Sequence, residues 1–160
     1  MTKAFYSFHF DNDVSRVAQV RNMGALTGDQ LVDDNSWEQV KRGGENGIKD
    51  WIARQMSACD VVIVMVGAQT ASRHWVDYEI RRGWDTKKPI FGIRIDGLKD
   101  LGGRTSTAGK NPFEQVPLQS GKILSQYVPL HNPAGLTSQD VYASIQKNIK
   151  SWIANAPSLK

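Results

Sequence analysis

The strongest hydrophobic pattern in this chain is an unbroken run of six apolar residues at Val61–Val66, most of them β-branched. Asp60 and Gly67 bound the run, and no polar residue alternates with the apolar ones. A continuous run of this length is typical of a parallel strand covered on both faces, because alternation would mark a strand with one face in water. We therefore predict a buried central strand at Val61–Val66.

A helix is predicted directly after this strand, with Ser72 as its N-cap. Its buried stripe at helical spacing comprises Val76, Ile80, Gly83 and Trp84. Glu79, four residues after Trp75, lies roughly 60 to 100° around the helix from that stripe at about 100° per residue. Glu79 is therefore expected to flank the core rather than face open water. Ligands of open parallel sheets bind beyond the carboxyl ends of the strands, which is where this helix starts.

The other patterns alternate between strands and helices along the chain. We predict strands at residues 4–10, 30–33 and 90–95 and within 125–130, and helices at residues 14–23 and 45–58. A closing helix is capped by Thr137 or Ser138, and its core face comprises Val141, Ile145, Ile149, Trp152 and Ile153. Residues 98–112 are predicted to form a long loop. This order indicates a flavodoxin-like, doubly wound parallel α/β sheet with helices on both faces, in three layers.

Size and charge restrict the classes of partner. The 160 residues, with 40% hydrophobic and 22% charged positions, are expected to form a single globular domain over residues 1–160. Lys and Arg outnumber Asp and Glu by 20 to 16, a formal charge of +4. This mild excess suits a small anionic ligand. The chain has no basic run of the kind that binds nucleic acid, so no nucleic-acid partner is expected.

The expected cellular compartment is inferred from the absence of a disulfide pair, a signal peptide and a membrane-spanning run in the sequence. Cys59 is the single cysteine, so it forms no internal disulfide and is predicted to be a packed thiol. The first ten residues lack the basic start and long apolar core of a signal peptide, and no apolar run is long enough to span a bilayer. A cytoplasmic protein without a membrane partner is expected.

Six segments together carry a family resemblance. FYSFHFDND (residues 5–13), SRHWVDYEI (72–80) and IFGIRID (90–96) resemble the first conserved box, the Trp- and Glu-bearing helix and the next strand of TIR domains. VRN (20–22), DDNSWEQVKR (33–42) and GKNPFEQ (109–115) resemble, more narrowly, the bacterial TIR-like family that includes the TIR protein of the Thoeris anti-phage system. The likeness covers most of residues 4–115.

The chain also departs from eukaryotic TIR domains at two places. Val76 follows the Trp where many of them have Cys, which is harmless if that side chain is in the core. Residues 24–47 contain no recognisable copy of their binding loop, so the resemblance does not define the loop that faces the substrate.

The resemblance implies a TIR-like fold and a defined activity. TIR-like enzymes cleave the bond between nicotinamide and ribose in NAD, and the ADP-ribose is either hydrolysed or cyclised into a signalling molecule. The Thoeris likeness implies an antiviral defence enzyme whose cyclic ADP-ribose-type product activates a separate effector protein. NAD is then the substrate, and neither a cofactor nor a metal is expected. Because constant loss of NAD is toxic, we expect weak activity in the purified protein and activation in the cell by assembly into a homo-oligomer or by a phage-derived trigger.

Chemistry explains why one carboxylate can suffice for this reaction. Ordinary glycosidases need two carboxylates because the leaving alkoxide must be protonated. Nicotinamide leaves as a neutral molecule from a cationic precursor, so a single carboxylate that holds the ribose hydroxyls and stabilises the oxocarbenium-like centre is enough. Glu79 is the candidate catalytic residue. Its alternative is a glutamate on the helix surface, paired with Arg82 three residues on.

Seven further residues are candidates for substrate binding: Ser7, Phe8, His9, Asp33, Trp37, Trp75 and Asn111. The first three end the first predicted strand and are placed to offer backbone amides, an aromatic face and an imidazole to the nucleotide. Structural alternatives stand beside most of these roles. The alternative for His9 is a histidine at the rim whose hydrogen bonds are satisfied within the protein, and for Asp33 it is the capping of a turn. The alternative for Trp37 is a position in the core or in a lid, and for Trp75 it is packing. Asn111 has the alternative of a local turn before proline.

Other classes of protein compete with this interpretation. A TIR-like interaction module without turnover is the alternative that the sequence leaves open. A phospho-receiver shares the architecture and places acids after its first strand, as Asp11 and Asp13 do here. It requires an acceptor Asp at the end of the central strand, where this chain has Gly67, so that class is rejected. A classical dinucleotide-binding domain requires a glycine-rich turn after the first strand, which DNDVSR is not.

Overall fold

A computed structural model describes residues 2–27 and 34–160 of the chain, except for the side chains of residues 34 and 35. Five strands form an all-parallel sheet in the order β2-β1-β3-β4-β5. The strands are β1 (Thr2–Ser7), β2 (Leu26–Thr27), β3 (Val61–Val66), β4 (Ile90–Arg94) and β5 (Leu130–His131). The helices are α1 (Phe10–Arg21), α2 (Asp34–Lys41), α3 (Gly44–Ser57), α4 (His74–Asp85) and α5 (Ser138–Ala154). This strand order is that of the flavodoxin-like fold, which confirms the predicted fold class.

Strand β3 separates two hydrophobic clusters because its side chains alternate between the two faces of the sheet. Val62, Val64 and Val66 pack with residues of α3 and α4. Val61, Ile63 and Met65 pack with residues of α1 and α5 on the other face. All six side chains are buried, as the unbroken apolar run predicted. The sheet is therefore the middle of three layers.

Helix α4 lies close to the sheet because its buried stripe contains a glycine. A Cβ added at Gly83 would stand 3.2 Å from Cγ2 of Val62. The predicted stripe of Val76, Ile80, Gly83 and Trp84 is buried, and Glu79 is buried with it. The close approach brings one turn of α4 within reach of the end of β1.

The first strand is shorter than its aromatic alternation predicted. β1 ends at Ser7 and α1 begins at Phe10, whereas the sequence indicated a strand to residue 10 and a helix from residue 14. The backbone N–H of Asp13 donates to the carbonyl of His9 at 2.9 Å, which closes the first helical turn. Asp11 and Asp13 favour this early start because acidic side chains stabilise the positive end of a helix.

The predicted N-cap of α4 is also wrong. Ser72 lies in a short 3₁₀ helix at Thr70–Ser72, and its hydroxyl donates to the carbonyl of Gln69 at 2.8 Å. Because that hydroxyl serves the preceding turn, Arg73 takes the N-cap position and α4 begins at His74, without a side-chain cap.

Smaller differences concern the ends of the sheet. The predicted strand at residues 30–33 lies outside the described residues, and the edge strand that the structure shows is β2, at Leu26–Thr27. Helix α2 was not predicted. Residues 124–126 form a 3₁₀ helix, so that only Leu130 of the predicted last strand belongs to β5. Tertiary contacts decide such short elements because they have little hydrophobic pattern of their own.

The remaining helices agree with the sequence. Helix α3 covers the predicted 45–58 region, and Thr137 caps α5 by accepting a hydrogen bond from the N–H of Asp140 at 3.1 Å. The predicted long loop has neither helix nor strand from residue 98 to residue 111. In the ranges that the structure describes, no helix has the length and apolarity needed to cross a membrane.

Candidate active site

A cavity of about 320 Å³ opens at the carboxyl edge of the sheet. Its walls come from the end of β1 and the start of α1, from α2 and α3, and from the first turns of α4. Phe8, His9, Trp37, Trp75 and Glu79 line it, so five of the eight residues singled out by the sequence meet here. This is the edge at which open parallel sheets bind ligands.

Glu79 is held in the cavity wall by a contact across the fold. The hydroxyl of Ser7 donates a hydrogen bond to Oε1 of Glu79 at 2.7 Å, although the two residues are 72 positions apart. Ser7 is fully buried at the end of β1, and Glu79 is only 9% exposed. Glu79 thus contacts the sheet rather than pairing with Arg82 on the surface of the helix.

Burial changes the acidity of this carboxyl. Removal from water raises the pKa of Glu79 from 4.5 to about 8, and the hydrogen bond from Ser7 partly opposes that rise. No neighbouring charge among the described residues contributes to the shift. The free protein therefore holds Glu79 mostly protonated at pH 7, and a positive charge placed beside it would favour the carboxylate.

Aromatic side chains form much of the cavity wall. The rings of Phe8 and Phe10 lie 5.9 Å apart, and the ring of Phe10 lies 6.1 Å from that of Trp37. Trp75 makes edge contacts to His74 at 4.9 Å and to Tyr78 at 5.5 Å. Trp75 thus packs within α4 and also faces the cavity. Flat, apolar walls of this kind suit a planar heterocycle.

His9 is a buried polar group in this wall. It is 7% exposed, and its Nδ1 has no hydrogen-bond partner among the described residues. Burial lowers the pKa of His9, and Arg73 lowers it further, against the opposing effect of Asp13 and Asp11. The imidazole is therefore neutral at pH 7. A buried polar atom without a partner is uncommon in a folded protein and is often found where a ligand binds.

Charge at the rim comes from the start of α4. Arg73 and His74 are exposed and line the cavity, as does Asp11 on the opposite wall. The side chain of Arg73 makes no hydrogen bond or ion pair within the described ranges. It stands at the N-terminal end of α4, where the helix dipole is positive, so this part of the rim is suited to an anionic group.

Three of the singled-out residues lie elsewhere. Ser7 reaches the site only through Glu79. Asn111 caps the 3₁₀ helix Pro112–Gln115 by accepting from the N–H of Phe113 at 2.9 Å, and it is not part of the cavity wall. Asp33 lies outside the described residues.

Sequence reasoning missed several members of the site: Phe10, Asp11, Trp51, Arg73 and His74. The sequence assigns Trp51 to the buried stripe of its helix, where it also packs at 6.3 Å from the ring of Phe5. The other four lie inside the first two TIR-like motifs, so membership of those motifs was the available signal. Over residues 2–27 and 34–160, no group of three or more His, Cys, Asp or Glu side chains is placed to hold a metal ion.

The fold and the cavity together define a TIR-like α/β domain with a ligand cleft at the carboxyl edge of its sheet. A family model described as "Thoeris protein ThsB, TIR-like domain" matches residues 5–100. The chain therefore belongs to the Thoeris ThsB TIR-like family, as its motifs predicted. A curated relative from Bacillus cereus (strain MSX-D12), named "Putative cyclic ADP-D-ribose synthase ThsB1", is 32% identical over 133 residues, which cover 78% of this chain and 69% of the relative.

Proposed function

We propose that this chain is an NAD-consuming enzyme of anti-phage defence, which cleaves the nicotinamide–ribose bond and forms a cyclic ADP-ribose-type signal. The observation that carries the proposal is a buried carboxyl, Glu79, in the wall of an aromatic cavity at the ligand-binding edge of the sheet. The name of the Bacillus cereus relative supports the same reaction, since it describes a cyclic ADP-ribose synthase.

The chemistry follows from the charge of the substrate. The nicotinamide ring of NAD is a cation, and placing it against Glu79 favours loss of the carboxyl proton to solvent. The carboxylate then holds the ribose hydroxyls and stabilises positive charge as the bond from ribose to nicotinamide breaks. Nicotinamide leaves with the bonding electron pair as a neutral molecule, so no general acid is needed. An internal nucleophile of the ADP-ribose closes the cyclic product, whereas water would give the linear one.

The size of the cavity suggests how NAD is divided over the site. About 320 Å³ is at the lower end of ligand pockets and suits the nicotinamide and its ribose better than a whole dinucleotide. We place that half between Glu79 and the aromatic wall of Phe8 and Trp37. The diphosphate then lies at the rim beside Arg73 and the first turn of α4, where charge is complementary. His9 offers a neutral imidazole between the two.

The wider biology extends this proposal. The product is a diffusible nucleotide that activates a separate effector protein, and the enzyme assembles into a homo-oligomer when infection triggers it. We place residues 1–160 in the cytoplasm as one domain, where NAD is available.

The decisive experiment compares the wild type with Glu79→Gln beside a cognate effector in cells challenged with phage. Nucleotides are measured by mass spectrometry. Wild type should lose NAD and gain an ADP-ribose-derived species, and E79Q should reduce that product about 10²-fold or more. Glu114→Gln, a change of an exposed glutamate outside the cavity, is the matched control and should behave as wild type.

Two results would contradict the proposal. Equal product from E79Q and wild type would remove Glu79 from the reaction. An unchanged nucleotide pool in all three strains, with binding of protein partners retained, would favour the non-catalytic interaction module instead.

A further inference from the structure

Ser7 occupies an unusual place relative to the cavity. It is fully buried and is not part of the cavity wall, whereas its hydrogen-bond partner Glu79 is. Ser7 ends β1 and is paired in register with Val64 of the central strand, so its backbone is fixed by the sheet. A ligand in the cavity would meet Glu79 before it could reach the Ser7 hydroxyl.

The hydrogen bond divides the two oxygens of Glu79 between protein and ligand. Oε1 accepts from Ser7 at 2.7 Å, and Oε2 has no hydrogen-bond partner among the described residues. We propose that Ser7 is a positioning residue that acts through Glu79, fixing Oε1 so that Oε2 is presented to the ribose of the substrate. This inference rests on the proposed NAD cleavage, and it changes the role of Ser7 from substrate contact to support of the catalytic carboxyl.

The hydrogen bond from Ser7 also affects which protonation state of Glu79 is favoured. A hydroxyl that donates to a carboxylate stabilises the charged form, and this bond is what opposes the effect of burial on the pKa of Glu79. The other titratable groups that line the cavity are Tyr6, His9, Asp11, Arg73 and His74, and none of them contributes to that pKa. Ser7 is therefore the group whose removal should change the acidity of Glu79.

The test is the pH dependence of NAD cleavage in Ser7→Ala. If Glu79 reacts as a carboxylate, kcat/KM of the wild type rises with pH through the pKa of Glu79. S7A should shift this rise to higher pH by about 0.5 to 1 unit, which lowers kcat/KM at pH 7 by about three- to tenfold. Much of the difference should disappear above the rise, where Glu79 is ionised in both proteins.

Two variants separate positioning from a merely structural role. Ser7→Thr keeps the hydroxyl and should restore the wild-type pH profile. Val64→Ala removes a buried side chain beside Ser7 but leaves the hydrogen bond, so it should lower thermal stability without moving the profile. If S7A does not fold, Ser7→Cys gives the same comparison, because a thiol of similar size is only a weak donor.

A second measurement needs no turnover. The side-chain carboxyl of Glu79 is titrated by NMR in protein labelled with ¹³C at Glu Cδ, and its signal is identified by its loss in E79Q. A higher pKa of Glu79 in S7A than in wild type supports the Ser7–Glu79 contact, whether or not NAD is cleaved. Absence of NAD cleavage would count against the proposed function and not against this contact. An unchanged pKa in S7A would overturn the positioning role, because the Ser7 hydroxyl would then not be donating to the Glu79 carboxylate. So would a rise in KM without a shift in the profile, which would make Ser7 a substrate contact.

Discussion

The Glu79 side chain links burial to pH-dependent stability. Its pKa is about 8 in the folded protein against an ordinary value of 4.5, so the folded state retains a proton that the unfolded state has released between these values. Stability contributed by this group therefore falls as pH rises from about 4.5 to about 8. Glu79→Gln keeps the shape of the side chain but has no carboxyl proton to lose. Its free energy of unfolding should exceed that of wild type at pH 9, by up to roughly 5 kcal/mol, and be close to it at pH 4. Urea unfolding at both pH values measures the difference, and an advantage of E79Q that is the same at both would show that folding does not raise the pKa of Glu79.

Among the secondary-structure elements, helix α4 matters most for substrate binding, because the residue at which it begins determines which side chain stands at the rim of the cavity. Because α4 begins at His74, Arg73 stands at the positive end of a twelve-residue helix and at the rim of the cavity, with no side-chain partner among the described residues. Arg73→Ala should raise KM for NAD about three- to thirtyfold, since a hydrogen bond to a charged group contributes about 1.5 to 3 kcal/mol when buried and less at an exposed rim. Cleavage of nicotinamide riboside, which has no phosphate, should change little. Steady-state kinetics on both substrates with R73A and Arg73→Lys make the comparison. A similar loss on both substrates would place Arg73 at the nicotinamide end instead of the diphosphate.

Across the molecule as a whole, the sheet separates the face that carries the site from the face that does not. Ile63 is fully buried against residues of α1 and α5, while its neighbours Val62 and Val64 point to the opposite face of the sheet, toward α3 and α4. Ile63→Ala should lower the free energy of unfolding by about 2 to 5 kcal/mol. The kcat/KM for NAD, expressed per folded molecule, should stay within about twofold of wild type, because both Glu79 and Ser7 are on the other side of the sheet's core. Denaturant titration combined with kinetics at low temperature tests this separation. A large loss of kcat/KM in fully folded I63A would show that the two faces are coupled.

Local patterns in the chain were enough to predict much of the fold. A few consecutive residues are enough to specify the apolar run of β3, the buried stripe of α4 and the cap of α5. The alternation of strands and helices identified the parallel three-layer sheet. The predicted start of α1 is wrong because the alternation of aromatic residues at Tyr6, Phe8 and Phe10 has the period of a strand, even though the backbone turns into a helix before the last of them.

The chemistry of the candidate site depends instead on how the elements pack. Glu79 could be proposed from its motif, but whether it lies on the surface beside Arg82 or is buried against Ser7 depends on how closely α4 approaches β1. The pKa of Glu79 is likewise set by desolvation, which is produced by side chains from several elements that are distant in the chain. Periodicity reports which face of one helix is covered, whereas the identity of the group that covers it is fixed only when the helix packs on the sheet.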